Sequence, residues 1–223
     1  MPDKILIAPS ILSADQSRLA EAIIESKKAG ADLIHVDVMD GHFVDNITIG
    51  PGVVMDIAKV AREVGIPLDV HLMIENPIKH LDKFIASKPM YLTVHQEATT
   101  HLHRAVTLIK DAGIKAGVSL NPATSLLELE EIVPLMDLLL IMTVNPGWGG
   151  QKYIDLMDDK IAMARGFLDA ENPECVLEVD GGVDRHNAPK LREMGVDILV
   201  AGNSVFKSTG TIAENIKAIR GEK

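Results

Sequence analysis

The stretch Lys28-Ala29-Gly30-Ala31-Asp32-Leu33-Ile34-His35-Val36-Asp37-Val38 closes one amphipathic segment with a glycine and opens a short β-branched one. Glycine tolerates the left-handed backbone that ends a helix, and Val and Ile favour a pleated strand. The same phrase of helix end, glycine turn and next strand returns at Asp111-Ala112-Gly113-Ile114-Lys115 and at Met194-Gly195-Val196-Asp197. A repeated phrase predicts a repeated unit. Outward from it, short apolar runs suited to strands buried on both faces fall at 5–9, 33–38, 68–72, 91–95, 116–120, 138–143, 175–179 and 198–201.

Between these runs lie amphipathic segments predicted as helices, at 16–29, 52–64, 77–87, 100–112, 124–133, 153–170, 185–194 and 211–220. Asn76-Pro77 offers an N-cap followed by Pro at the first helical position, and Gly30, Gly65, Gly113 and Gly195 stand where helices should stop. No Pro- or Ser-rich linker divides the chain, so 1–223 is expected to fold as a single domain. Eight βα units in one domain most economically close into an α/β (β/α)8 TIM barrel. A doubly wound open sheet would want a G-x-G-x-x-G loop after its first strand, where Ala8-Pro9-Ser10-Ile11-Leu12 stands instead.

Composition narrows the partners. Asp and Glu number 32 against 22 Lys and Arg, a formal charge of −10, and no basic run is longer than Lys27-Lys28, which argues against nucleic acid. A single phosphate is a different matter, since local backbone amides hold one whatever the net charge. Apolar runs such as Leu138 to Met142 fall far short of the roughly 20 residues of a membrane helix, so no membrane association is expected. The lone Cys175 excludes an internal disulfide, and charged Asp3 and Lys4 replace the apolar run of a signal peptide; a cytoplasmic location is expected.

In a barrel of this kind the chemistry sits at the C-terminal ends of the strands. There the sequence places Ser10, then His35 and Asp37, His71, His95 and Glu97, and Asp180. Pleating turns residues i and i+2 to one face, so His35 and Asp37 both point inward. Two imidazoles and two carboxylates from His35, Asp37, His71 and Asp180 suit one divalent ion of the Zn2+, Fe2+, Mn2+ or Co2+ kind, and nothing in the sequence chooses among them. Buried polar residues pairing with one another are the competing reading. Burying carboxylates without a cation costs several kcal/mol each on the order-of-magnitude scale, which a metal offsets.

Three glycine-rich loops follow late strands: Asn145-Pro146-Gly147-Trp148-Gly149-Gly150-Gln151, Asp180-Gly181-Gly182-Val183, and Ala201-Gly202-Asn203-Ser204. Glycines let backbone N–H groups approach an anion, and barrels often hold phosphate on the loops after their last two strands. Met39, Met73 and Met142 of the chain's ten methionines fall at the same mouth, where apolar side chains exclude water.

At this point the chain resembles the ribulose-phosphate 3-epimerase family over essentially its whole length. The matching text is Ala8-Pro9-Ser10-Ile11-Leu12-Ser13-Ala14-Asp15, His35-Val36-Asp37-Val38-Met39-Asp40-Gly41-His42-Phe43-Val44, Asp69-Val70-His71-Leu72-Met73, Met142-Thr143-Val144-Asn145-Pro146-Gly147-Trp148-Gly149-Gly150-Gln151 and Glu178-Val179-Asp180-Gly181-Gly182. The resemblance implies a barrel that inverts C3 between D-ribulose 5-phosphate and D-xylulose 5-phosphate. By the same resemblance His35, Asp37, His71 and Asp180 bind the metal, and Asp37 and Asp180 are the acid/base pair. Ser10, His71, Met39, Met73 and Met142 meet the substrate, as do Gly147, Trp148, Gly149 and Gly150 of the lid and Gly181, Gly182, Gly202 and Asn203 at the phosphate. It further implies a homo-oligomer, dimer or hexamer. Asp45 departs from the family's usual Pro, and Trp148 from its common Phe. A related branch acts on allulose 6-phosphate, one carbon longer.

Inverting a carbon beside a ketone takes a proton from one face and returns one to the other, so two acid/base groups are required. The C3 hydrogen is too weakly acidic for a carboxylate unless the enediolate is stabilised, which a divalent metal supplies as a Lewis acid. A metal-dependent aldolase shares that chemistry and breaks a carbon–carbon bond instead. A Schiff-base aldolase is disfavoured because Lys4 and Lys115 sit at the wrong strand ends. A non-catalytic phosphosugar-binding protein has no use for two aspartates on a metal.

Overall fold

A computed structural model describes residues 5–222, and Asp3 and Lys4 lie outside the described residues. Its eight strands are β1 (Leu6–Pro9), β2 (Ile34–Met39), β3 (Leu68–Met73), β4 (Tyr91–His95), β5 (Lys115–Leu120), β6 (Leu138–Met142), β7 (Val176–Asp180) and β8 (Ile198–Ala201). Each pairs in parallel with the next from β2 through β8, and β8 returns to β1. Between β1 and β2 the ring closes through one parallel bridge, Ser10 to His35. This is the expected (β/α)8 barrel, its seam lying beside the polar cluster.

Strand alternation divides the burial. Outward residues such as Val36, Val70, Val94 and Val118 pack under the helices in the main core, while Ala8, Leu138, Leu140, Ile198 and Val200 form a separate apolar cluster. The helices are α1 (Leu19–Lys28), α2 (Pro51–Val64), α3 (Leu81–Ile85), α4 (Leu102–Asp111), α5 (Met157–Glu171), α6 (Ala188–Glu193), α7 (Asn203–Phe206) and α8 (Ile212–Arg220). Gly30, Gly65, Gly113 and Gly195 all take the left-handed backbone expected of helix stops.

Three details differ from the sequence reading. Segment 124–133 forms two 3-10 turns, Leu126–Leu129 and Val133–Leu135, in place of a helix. It is short, flanked by Pro122 and Pro134, and a proline disfavours helical backbone in the residue before it. Segment 77–87 splits at His80 into a 3-10 turn and α3, and Asn76 makes no side-chain cap, its backbone being left-handed at φ 49°. Finally, α7 is an extra turn of helix directly after β8.

Candidate active site and metal centre

The C-terminal mouth of the barrel opens into a cavity of about 340 Å3. Its wall includes Ser10, Asp37, Met39, Met73, Met142 and Asp180 together with Gly147, Trp148, Gly149, Gly150, Gly181, Gly182, Gly202 and Asn203. Every residue expected to meet metal or substrate therefore reaches the cavity except His35 and His71, and His95 and Glu97 also lie outside its wall. His35 and His71 are fully buried and stand behind Asp37, so contact of His71 with a substrate would need the floor to shift.

Parallel register assembles the floor. It sets His35 beside Asp69, Asp37 beside His71 and Met39 beside Met73 on β2 and β3. One ligand atom from each of His35, Asp37, His71 and Asp180 lies within 4.8 Å of all the others. Asp37 Oδ1 is 3.3 Å from both His35 Nε2 and His71 Nδ1, and Asp180 Oδ2 is 4.0 Å from His35 Nε2.

Whether these residues fit a cation is decided by the proton positions. His35 Nδ1 meets Asp69 Oδ2 at 2.5 Å, and since a carboxylate only accepts, the imidazole proton belongs there. His35 Nε2 is then the ring nitrogen left for a cation, buried and without a hydrogen-bond partner and facing two carboxylates. Acceptors converging on one point in a buried site are what a divalent cation satisfies, with Asp69 orienting the histidine from behind. The set of two nitrogens and two carboxylates fits the metal.

The two aspartates differ in charge. Burial opposes ionisation of Asp37, but His35 and His71 outweigh it and hold its carboxyl well below the usual carboxylate range; Ser10 Oγ adds a 2.6 Å hydrogen bond to Oδ2. Burial, reinforced by the Asp37 charge, pushes Asp180 up to about 7. For His35, burial is overcome by Asp37 and Asp69, which raise it well above free imidazole. Burial brings His71 down to about 4 and also lowers His95.

Met39, Met73 and Met142 are each nearly inaccessible and close the apolar side of the mouth. The loop carrying Trp148 is tied down on either side, Asn46 Nδ2 donating to Gly147 O at 2.8 Å and Gln151 Nε2 to Asn145 O at 2.6 Å. Gly181, Gly182 and Gly202 are required by space, a Cβ on Gly181 coming 2.8 Å from the Val144 backbone nitrogen. Gly182, at φ 66°, has no room for a Cβ against the Tyr153 backbone, and a Cβ on Gly202 would come 2.5 Å from Ser13 Oγ. Lys115 opens β5 at the end away from the mouth.

A layer beneath the His/Asp cluster escaped the sequence reading. Asp69 and Glu178 lie two residues before His71 and Asp180 on the same inward faces, fully buried beside His35. Burial first, then the Asp69 charge, raises Glu178 well above its ordinary value. The period-two spacing that exposed His35 and Asp37 would have found both. His95 and Glu97 stand at the C-terminal end of β4, where the sequence places them.

Fold and site together define a class: a single-domain (β/α)8 barrel whose mouth joins a His/Asp cluster able to hold a metal to three glycine-rich loops. Residues 6–206 match the ribulose-phosphate 3 epimerase family. The chain is 47% identical over 220 residues to ribulose-phosphate 3-epimerase of Bacillus subtilis (strain 168), covering 98% of this chain and all of that one. It is 44% identical to the Escherichia coli (strain K12) protein of the same name, over 90% of this chain and 88% of that one. The chain belongs to the ribulose-phosphate 3-epimerase family. Among solved structures, 3-hexulose-6-phosphate synthase superposes with a TM-score of 0.67 at 16% identity, covering 98% of each chain, a likeness of fold.

Proposed function

We propose that the mouth of this barrel is a two-aspartate epimerisation site. The chain is an isomerase that interconverts D-ribulose 5-phosphate and D-xylulose 5-phosphate, the activity that family membership carries. The observation behind the chemistry is that Asp37 and Asp180 both line the cavity and meet within one cluster of candidate ligands. Inversion needs that pair, a base on one face of C3 and an acid on the other. Asp37 removes the C3 proton, Asp180 delivers one to the opposite face, and the roles exchange in the reverse direction.

His35, Asp37, His71 and Asp180 would hold one divalent cation of the Zn2+, Fe2+, Mn2+ or Co2+ kind, supported by the mixed nitrogen and oxygen donors. Such an ion, when bound, supplies Lewis-acid stabilisation of charge developing on the ketose oxygens. Ser10 keeps Asp37 aimed through its hydrogen bond to Oδ2. Met39, Met73 and Met142 keep water from the reacting carbon, and Trp148 with Gly147, Gly149 and Gly150 covers it. Backbone amides at Gly181, Gly182, Gly202 and Asn203 take the phosphate. The resemblance adds a homo-oligomer, and the single buried Cys175 accords with a cytoplasmic setting.

The test is metal analysis of the purified protein followed by turnover of ribulose 5-phosphate and allulose 6-phosphate side by side. Faster epimerisation of the pentulose phosphate, dependent on a bound divalent ion, is expected. Preference for the six-carbon substrate, cleavage to smaller products, or binding without turnover would overturn this reading.

A further inference from the structure

A chain of hydrogen bonds runs inward to His71 from the side opposite Asp37. His71 Nε2 lies 2.8 Å from His95 Nε2, and His95 Nδ1 lies 3.2 Å from Glu97 Oε2. The two rings stack with centroids 4.9 Å apart, both fully buried, and Phe43 packs on His95. The other Glu97 oxygen, Oε1, accepts from the Asn121 backbone N–H at 2.7 Å and from the Thr124 hydroxyl. Lys160 braces that loop, its Nζ donating to Asn121 O at 2.8 Å and to Thr124 O at 2.7 Å.

With a cation in the cluster, His71 Nδ1 faces the ion in place of its 3.3 Å hydrogen bond to Asp37 Oδ1, and donor directions along the chain are then set by its outer end. An ionised carboxylate only accepts, so the proton between Glu97 and His95 sits on His95 Nδ1. A neutral imidazole carries one proton, so His95 Nε2 is an acceptor and the proton shared with His71 sits on His71 Nε2. His71 Nδ1 is left as a lone pair, 3.3 Å from Asp37 Oδ1 inside the ligand cluster.

We propose that Glu97, acting through His95, is a positioning residue that keeps the proton of His71 on Nε2 and so presents Nδ1 to the cation. The proposal rests on the metal reading of the cluster. Its reach is two side chains from the ion, and neither His95 nor Glu97 belongs to the cation's ligand set.

Glu97→Gln tests it with almost no change of shape. The Asn121 N–H keeps the amide oxygen where Oε1 stood, which turns the new NH2 toward His95 Nδ1. That nitrogen must then accept, the His95 proton moves to Nε2, and His71 is driven to protonate Nδ1, the atom the cation needs. Zn2+ affinity, read by competition with a chromophoric chelator, is expected to fall by about 10- to 100-fold, with the urea unfolding midpoint of the metal-free chain little changed. In the Zn2+-loaded wild type, long-range 1H–15N correlation of the imidazoles is expected to show the His95 proton on Nδ1 and the His71 proton on Nε2.

A folded Glu97→Gln variant that binds Zn2+ as tightly as the wild type would overturn the proposal while leaving the metal site standing. A wild-type His95 protonated on Nε2 would also overturn it, and decides the matter even if the variant does not fold. A wild type that binds no Zn2+ would overturn the metal reading and the positioning role together.

Discussion

Ser10 donates a 2.6 Å hydrogen bond to Asp37 across the seam where β1 meets β2, the junction at which the barrel ring closes on a single bridge. Both side chains are nearly inaccessible. One contact thus joins the closure of the fold to the aim of the proposed base. A hydrogen bond to a buried charge is worth about 1.5–3 kcal/mol. Ser10→Ala should lower unfolding free energy by that order in urea titration and reduce kcat more than it raises KM. An unchanged kcat would show that Asp37 needs no such support.

Cation binding should depend on pH through Asp180. In the cation-free protein this carboxyl is pushed up to about 7 by burial and by the Asp37 charge, whereas ligation requires the ionised form. The sign follows: above about pH 7 the carboxylate is ready, and below it each pH unit costs a released proton and up to about tenfold in affinity. Calorimetric Zn2+ titrations in buffers of different ionisation enthalpy should report more proton release near pH 6 than at about pH 8, the difference coming from Asp180. An affinity flat across that range would contradict the shift.

Trp148 is 54% exposed at the tip of a loop tied to Asn46 and Gln151, and it is the only tryptophan of the chain. If the loop closes over substrate, its emission should shift to the blue on titration with ribulose 5-phosphate. Trp148→Ala should leave stability within about 0.5 kcal/mol, as exposed substitutions usually do, and raise KM. Emission unmoved by saturating substrate would rule out the covering role.

Much of this architecture is legible in the amino-acid order because the barrel repeats one unit. Runs such as Leu138 to Met142 and Ile198 to Ala201 have no use except as strands buried on both faces, and the glycines after Ala29, Ala112 and Met194 mark the stops. The meeting of His35, Asp37, His71 and Asp180 was legible for the same reason, since His35 and Asp37 alternate with valines. Segment 124–133 was misread because apolar spacing says nothing of the competing prolines. The Glu97–His95–His71 chain is a matter of which nitrogen faces which oxygen, and the spacing of residues 71, 95 and 97 in sequence carries no trace of it.

The two-aspartate scheme is tested most directly by epimerisation in D2O, followed by NMR at C3, for the wild type and for Asp37→Asn and Asp180→Asn. Predicted are a wild-type product carrying deuterium at C3 and a loss of epimerisation of at least about 10²-fold in each folded variant. A wild-type product free of deuterium, or full activity in either variant, would contradict the scheme.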